Sequence, residues 1–88
     1  METIMETAKE KRIGVVSVVI GRREDAAPKV NQLLTRFGHL IIGRMGVPYR
    51  ERGVSVIALI VEADTDELGA LTGKLGMMPG VTVKSLMI

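Results

Sequence analysis

The residues of this sequence that could do acid–base or nucleophilic chemistry are few and scattered. There is one histidine, His39, and no cysteine. A thiol nucleophile, a disulfide and a multi-histidine metal site within one chain are therefore excluded. Ser17, Ser55 and Ser85 lie in strand-like stretches, and one histidine could activate only one of them. We predict that the protein is not an enzyme and that it has no catalytic residues and no cofactor.

His39 follows a glycine that is placed to end a helix, so we expect an exposed or capping side chain. Metal binding through His39 would need carboxylates or histidines from other subunits. No metal site is predicted within the chain. A metal-responsive protein with a site shared between subunits remains an alternative, and a preparation unaffected by nickel or zinc would exclude it.

Two groups of basic residues could hold an anion. The first is the loop with Gly21, Arg22, Arg23 and Asp25, just before a predicted helix. The free N–H groups and partial positive charge of a helix N-terminus favour an anion. We take this loop as a candidate site for a small anionic or zwitterionic effector; a solvated charged turn is the alternative.

The second basic group comprises Arg44, Tyr49, Arg50 and Arg52, around a predicted hairpin. It could contact a neighbouring subunit, form a basic rim, or have no partner. A nucleic-acid-binding protein that uses these arginines is an alternative function, and its binding would weaken steeply as salt rises. Composition argues against it, because the net charge is only +2 and the sequence contains one Tyr, one Phe and no Trp for base stacking.

The element that must position these residues is the stretch Gly53–Ala63, GVSVIALIVEA. Its β-branched and aliphatic side chains favour a strand. Alternate residues of a strand face opposite sides, and here both sides are apolar. The first face carries Val54, Val56, Ala58 and Ile60, and the second carries Ile57, Leu59 and Val61. Arg12–Ile20 has the same character, so we predict that both strands lie in the centre of one sheet.

Two helices are predicted from apolar spacing. Val30, Leu33, Leu34 and Phe37 form the stripe of the first helix. Glu24 or Asp25 is expected to cap it, and Gly38 is expected to follow it in a left-handed conformation.

The second helix begins after Asp64, which forms a capping-box pattern with Glu67. Leu68, Leu71 and Leu75 form its stripe, and Gly76 ends it. Gly69 and Gly73 lie on one side of this helix, where they would allow another backbone to approach; simple tolerance is the alternative.

The remaining strands are His39–Val47, where two glycines and Arg44 indicate a bent edge strand, and Val81–Ile88. The order β-α-β-β-α-β predicts a ferredoxin-like α+β fold. Its antiparallel sheet has four strands in the order 4-1-3-2, with two helices on one face. We predict one domain over residues 12–88 after a flexible leader over residues 1–11.

Two helices cover one face of such a sheet, and the other face keeps several aliphatic side chains. An exposed apolar patch of that size marks an interaction surface. We therefore predict a homo-oligomer, a dimer or tetramer, in which this face packs on another copy or sheets join edge to edge and then stack. No stretch reaches the ~18 apolar residues of a membrane helix and no signal peptide is recognisable, so a cytoplasmic protein without membrane contact is expected.

The chain resembles a known family. The pattern is similar to the ACT-type regulatory domain, a βαββαβ module that pairs with copies of itself. From Ile41 to Leu86 the sequence more narrowly resembles the small stand-alone iron-only hydrogenase system regulators. The motifs that carry this likeness are Gly43-Arg44-Met45-Gly46, Pro48-Tyr49-Arg50 and the segment Thr65–Pro79.

The resemblance implies regulation, of transcription in particular, although no helix-turn-helix or ribbon segment is left over to bind DNA directly. ACT-type domains commonly hold effectors near the loop after the first strand, which here is Gly21 to Asp25. The family is also similar in fold to the C-terminal domain of the nickel-responsive repressor, which binds metal through histidines and a cysteine. That metal site does not carry over, because this chain has one histidine and no cysteine.

Overall fold

The computed structural model describes residues 10–21 and 26–88. Its regular elements are β1 (Arg12–Ile20), α1 (Ala26–Arg36), β2 (Ile41–Tyr49), β3 (Val54–Ala63), α2 (Thr65–Gly76) and β4 (Val81–Met87). Short 3₁₀ turns at Gly38–Leu40 and Arg50–Arg52 precede and follow β2. The predicted βαββαβ order is confirmed, and the strand and helix bounds lie within two residues of those expected where both ends are described.

The sheet has the predicted topology. Its strands lie in the order β2-β3-β1-β4, which is 4-1-3-2 read from the other edge, and every neighbouring pair is antiparallel. The central strands pair without interruption from Arg12↔Ala63 to Ile20↔Ser55. β2 is an edge strand, and its register shifts between Ile41 and Gly43. This bulge confirms the irregularity predicted for the second strand.

The core lies between the helices and one face of the sheet. Alternate residues of the central strands are buried there, because both helices pack on that side. The largest of the fully buried side chains among the described residues are Val16, Val18, Leu59 and Val61 from the sheet and Val30, Leu34, Leu71 and Leu75 from the helices. Each of these contributes about 1.5–3 kcal/mol on burial. The predicted stripes of both helices therefore face the core.

The start of α2 is held by the predicted capping box. The backbone N–H of Glu67 donates to Asp64 Oδ1 at 2.8 Å, and the N–H of Asp64 donates to Glu67 Oε1 at 2.9 Å. The Lys11 ammonium also donates to both oxygens of Glu67, at 2.7 and 2.8 Å. That bond, together with the backbone bond from Asp64, lowers the pKa of the Glu67 carboxyl, and the same contact raises the pKa of Lys11.

One turn differs from its prediction. Gly38 is not left-handed; it begins a 3₁₀ turn that brings Leu40 into the core, where 2% of its surface is exposed. The left-handed glycines are Gly53, with φ 67°, and Gly80, with φ 80°, which lead into β3 and β4. The chain reverses at those two glycines, so a positive φ is required there and not after α1.

The predicted caps of α1, Glu24 and Asp25, lie outside the described residues, as does the leader up to Lys9. Lys11, at the end of that leader, is tied to α2 through Glu67. In the part of the chain that the structure describes, no helix is both long enough and apolar enough to cross a membrane.

Candidate functional site: an open sheet face and a cleft beside it

One face of the sheet is covered by no helix of residues 10–21 and 26–88. We call it the open face. It is formed by Ile13, Val15, Ser17 and Val19 of β1, Val54, Val56, Ala58 and Ile60 of β3, Met45, Val47 and Tyr49 of β2, and Leu86 of β4. Strand pairing fixes this assignment, because residues opposite each other in a ladder point to the same side.

The open face is strongly apolar and exposed. Seven of its large side chains are between 45% and 72% exposed, from Tyr49 at the low end to Leu86 at the high end. By register, the charged strand residues on this side are Lys84, on the edge strand opposite Ser17, and Glu62, at the far end of β3 opposite Ile13. An apolar centre with charges at the rim is the anatomy of a protein interface.

A cleft of about 260 Å³ lies on the helix side of the β2–β3 hairpin, between α1, the end of β2 and the start of β3. It is lined by Ile20, Ala27, Asn31, Arg44, Gly46, Val47, Pro48, Ser55, Val56 and Ile57. Ile20 and Ile57 belong to the core and are almost fully buried. Polar groups enter from Asn31, Arg44 and Ser55. The cleft therefore combines an apolar base with one cationic group.

The candidate ligand loop is only partly described. Gly21 directly follows β1, and its N–H donates to the carbonyl oxygen of Gly80 at 2.7 Å. Arg22, Arg23 and Asp25 lie outside the described residues. The effector site predicted for this loop therefore stays a prediction.

Two residues of the basic hairpin, Arg44 and Tyr49, lie on opposite faces of the sheet. Arg44 pairs with Leu59 in the ladder and so lies on the helix side, where its Nη2 donates to Asn31 Oδ1 at 2.8 Å. Tyr49 pairs with Val54 and lies on the open face. Arg50 and Arg52 are exposed in the 3₁₀ turn. The structure thus brings Arg44 to the cleft and places Tyr49 on the opposite face of the sheet.

His39 is exposed, and its ring stacks on that of Phe37 with centroids 6.4 Å apart. Within residues 10–21 and 26–88, no group of three or more His, Asp or Glu side chains is arranged to hold a metal ion. Gly69 and Gly73 face open space in the single chain, with nothing within 4 Å of a Cβ built on either.

Asn31, Gly46 and Ser55 are functional candidates that sequence reasoning missed. Gly46 carried a signal, because a glycine in a strand can mark a place where a ligand approaches the backbone. The sequence offered a bend as the simpler interpretation. Asn31 carried no signal, since one polar residue on the exposed side of a helix is ordinary.

The fold and the open face place this chain among the small ferredoxin-like α+β modules. The family model described as "TM1266-like: Iron-only hydrogenase system regulator, putative" matches residues 12–85. The chain belongs to this family. The match confirms the resemblance seen in the sequence.

Solved structures agree with this assignment. The protein TM1266 of Thermotoga maritima is 42% identical, with a TM-score of 0.86 over 90% of this chain and 99% of its own. The C-terminal domain of MgtC from Mycobacterium tuberculosis is 17% identical, with a TM-score of 0.66 over 100% of this chain and 94% of its own. The second likeness concerns the fold alone. No curated protein matches the sequence.

Proposed function

We propose that this chain is a homo-oligomeric regulatory module of an iron-only hydrogenase system, in which the open face of one subunit packs on that of another. The observation that carries the proposal is the exposed apolar open face. The family supports the regulatory role. The module works in the cytoplasm and acts on transcription through a partner or an effector rather than by binding DNA itself. In the part of the chain that the structure describes, the regular helices and strands all belong to one sheet and the layer that covers it.

The apolar surface that the open face still exposes is of the size that a second copy could bury. A large apolar side chain gains about 1.5–3 kcal/mol when it is fully buried. The seven exposed ones on the open face are about half exposed, so each has roughly 1 kcal/mol still to gain. Two such faces together offer on the order of 14 kcal/mol, against an association cost of about 4–15 kcal/mol. A micromolar dimer needs a net gain of about 8 kcal/mol, which this burial supplies when the association cost is below about 6 kcal/mol.

A lysine in the centre of the open face tests the proposal. Ala58 is exposed and lies opposite Ser17 in the ladder. In a single subunit an Ala58→Lys side chain can extend into water, so the fold should persist. In the dimer the ammonium would be buried without a partner, which costs several kcal/mol.

The matched control is Gln32→Lys, which adds the same charge at an exposed position of α1, on the far side of the molecule. We expect sedimentation equilibrium to give a dissociation constant at least about 100-fold higher for Ala58→Lys than for Gln32→Lys. Circular dichroism should show both variants folded. Equal assembly of the two variants would refute packing through the open face.

A further inference from the structure

The cleft between α1 and the β2–β3 hairpin owes its space to a missing side chain. Gly46 pairs with Ile57 in the ladder and therefore points toward the helix side. A Cβ built on Gly46 would lie 3.9 Å from Cγ1 of Ile57, which is ordinary van der Waals contact, and its φ is not positive. Neither sterics nor backbone conformation demands a glycine there. The consequence of having one is a cleft that a side chain would otherwise fill.

The polar groups of the cleft are concentrated at Arg44. Its guanidinium has five N–H donors in a planar fork, which suits a carboxylate. One guanidinium nitrogen donates to Asn31 Oδ1 at 2.8 Å, a bond that favours this orientation of the side chain. The Ser55 hydroxyl adds a group that can donate or accept. Among the described residues that line the cleft there is no Asp or Glu.

We infer that this cleft binds a small organic monocarboxylate with a short apolar chain, its carboxylate on Arg44 and its chain on Ile20, Ile57 and Pro48. The volume of about 260 Å³ equals that of roughly nine water molecules in the liquid, which is enough for a branched chain of a few carbons. An amino acid is disfavoured, because its ammonium would meet no carboxylate among these lining residues.

The site is joined to the open face. Val47 and Val56 line the cleft and also belong to the open face, since they pair with each other on β2 and β3. A ligand in the cleft therefore contacts the hairpin that also contributes to the proposed subunit interface. As an effector site of the regulatory module, this inference rests on the proposed function; as a binding site, it stands on the cleft alone.

The experiment titrates 4-methylpentanoate into the full chain and follows backbone amide shifts by ¹H–¹⁵N NMR. We expect saturable shifts centred on Asn31, Gly46 and Ser55. Arg44→Met should weaken binding about tenfold or more, because a charge-assisted hydrogen bond is lost. The matched control, Arg36→Met, removes the same charge from an exposed position at the end of α1 and should leave binding unchanged.

Gly46→Leu is the second variant, because it fills the cleft without removing any polar group. It should abolish binding while the thermal midpoint stays the same or rises. Unchanged binding in Arg44→Met or Gly46→Leu would overturn the assignment. Leucine or 3-methylbutan-1-amine that binds as tightly as 4-methylpentanoate would overturn the monocarboxylate class.

The mass of the protein in solution, measured in the same samples, shows whether it is a monomer or an oligomer. This measurement tests the proposed assembly independently of binding in the cleft. A wild-type monomer that binds 4-methylpentanoate in the cleft would refute face-to-face assembly and support the site. A wild-type oligomer that shows no saturable shifts would refute the site and leave the assembly standing.

Discussion

Gly14 offers the sharpest test of the packing between β1 and β4. It is buried on the helix side of the sheet and pairs with Met87. A Cβ built on Gly14 would collide with the sulfur of Met87 and would lie 2.5 Å from the carbonyl oxygen of Leu86 and 2.9 Å from the Cα of Met87. The sulfur can move away, but the backbone atoms cannot do so without shifting β4. Gly14→Ala should therefore separate the ends of the two strands.

The magnitude follows from two opposing effects. Overpacking of this kind costs about 1–3 kcal/mol. Alanine also restricts the unfolded chain, which returns about 0.4–1 kcal/mol. The net loss should be roughly 1–2 kcal/mol, or a fall of about 4–15 °C in the thermal midpoint of a domain of this size. Thermal unfolding followed by circular dichroism measures it.

Gly46→Ala is the matched control, because Gly46 lies on the same side of the sheet and its built Cβ meets nothing nearer than 3.9 Å. At this position alanine causes no overpacking and only restricts the unfolded chain. The free energy of unfolding should therefore be unchanged or rise by up to about 1 kcal/mol. If both alanine variants have the same thermal midpoint as wild type, β4 does not approach Gly14 as closely as described. The register between β1 and β4 that produces this approach would then be refuted.

Two further predictions concern the start of α2. Asp64→Ala should cost about 1 kcal/mol in urea unfolding, because the capping bond to Glu67 N–H is lost, and an unchanged midpoint would contradict the capping box. Lys11→Met should be less stable than wild type at neutral pH. The folded pKa of Glu67 is lowered, so its contribution is present above its unfolded value near 4.5 and fades as pH falls through the folded value. The stabilities of wild type and Lys11→Met should therefore become equal in acid. A difference in stability that persists there would contradict a stabilising Lys11–Glu67 ion pair.

The fold was predictable because its signals are local and agree with one another. Two strands with apolar residues on both faces had to be central, and a strand with two glycines and Arg44 belonged at an edge. Helical stripes and the Asp64–Glu67 pair located the helices. From these elements the right-handed crossover rule leaves few topologies, of which the observed one is the simplest.

The details that depend on distant residues were not predictable. The position of Gly38 after an apolar stripe predicts a left-handed helix end. Its actual conformation, the start of a 3₁₀ turn, depends on the burial of Leu40 in the core. Nothing in the sequence shows that Gly14 lies against the backbone of β4. The cleft was likewise hidden, because Asn31, Gly46 and Ser55 come from three elements and meet only in the folded chain. Arg44 and Tyr49 are close in the sequence, but strand alternation places them on opposite faces of the sheet.

The most direct measurement of the central claim is an isotope-filtered NOE experiment on a mixed sample of ¹³C-labelled and unlabelled protein. Methyl groups of Val15 and Ile60, which are 46% and 47% exposed in the single chain, should show NOEs to protons of another copy. Methyl groups of Leu34, on the buried face of α1, should show none. Intermolecular NOEs confined to the helical layer, or absent at millimolar concentration, would contradict face-to-face assembly.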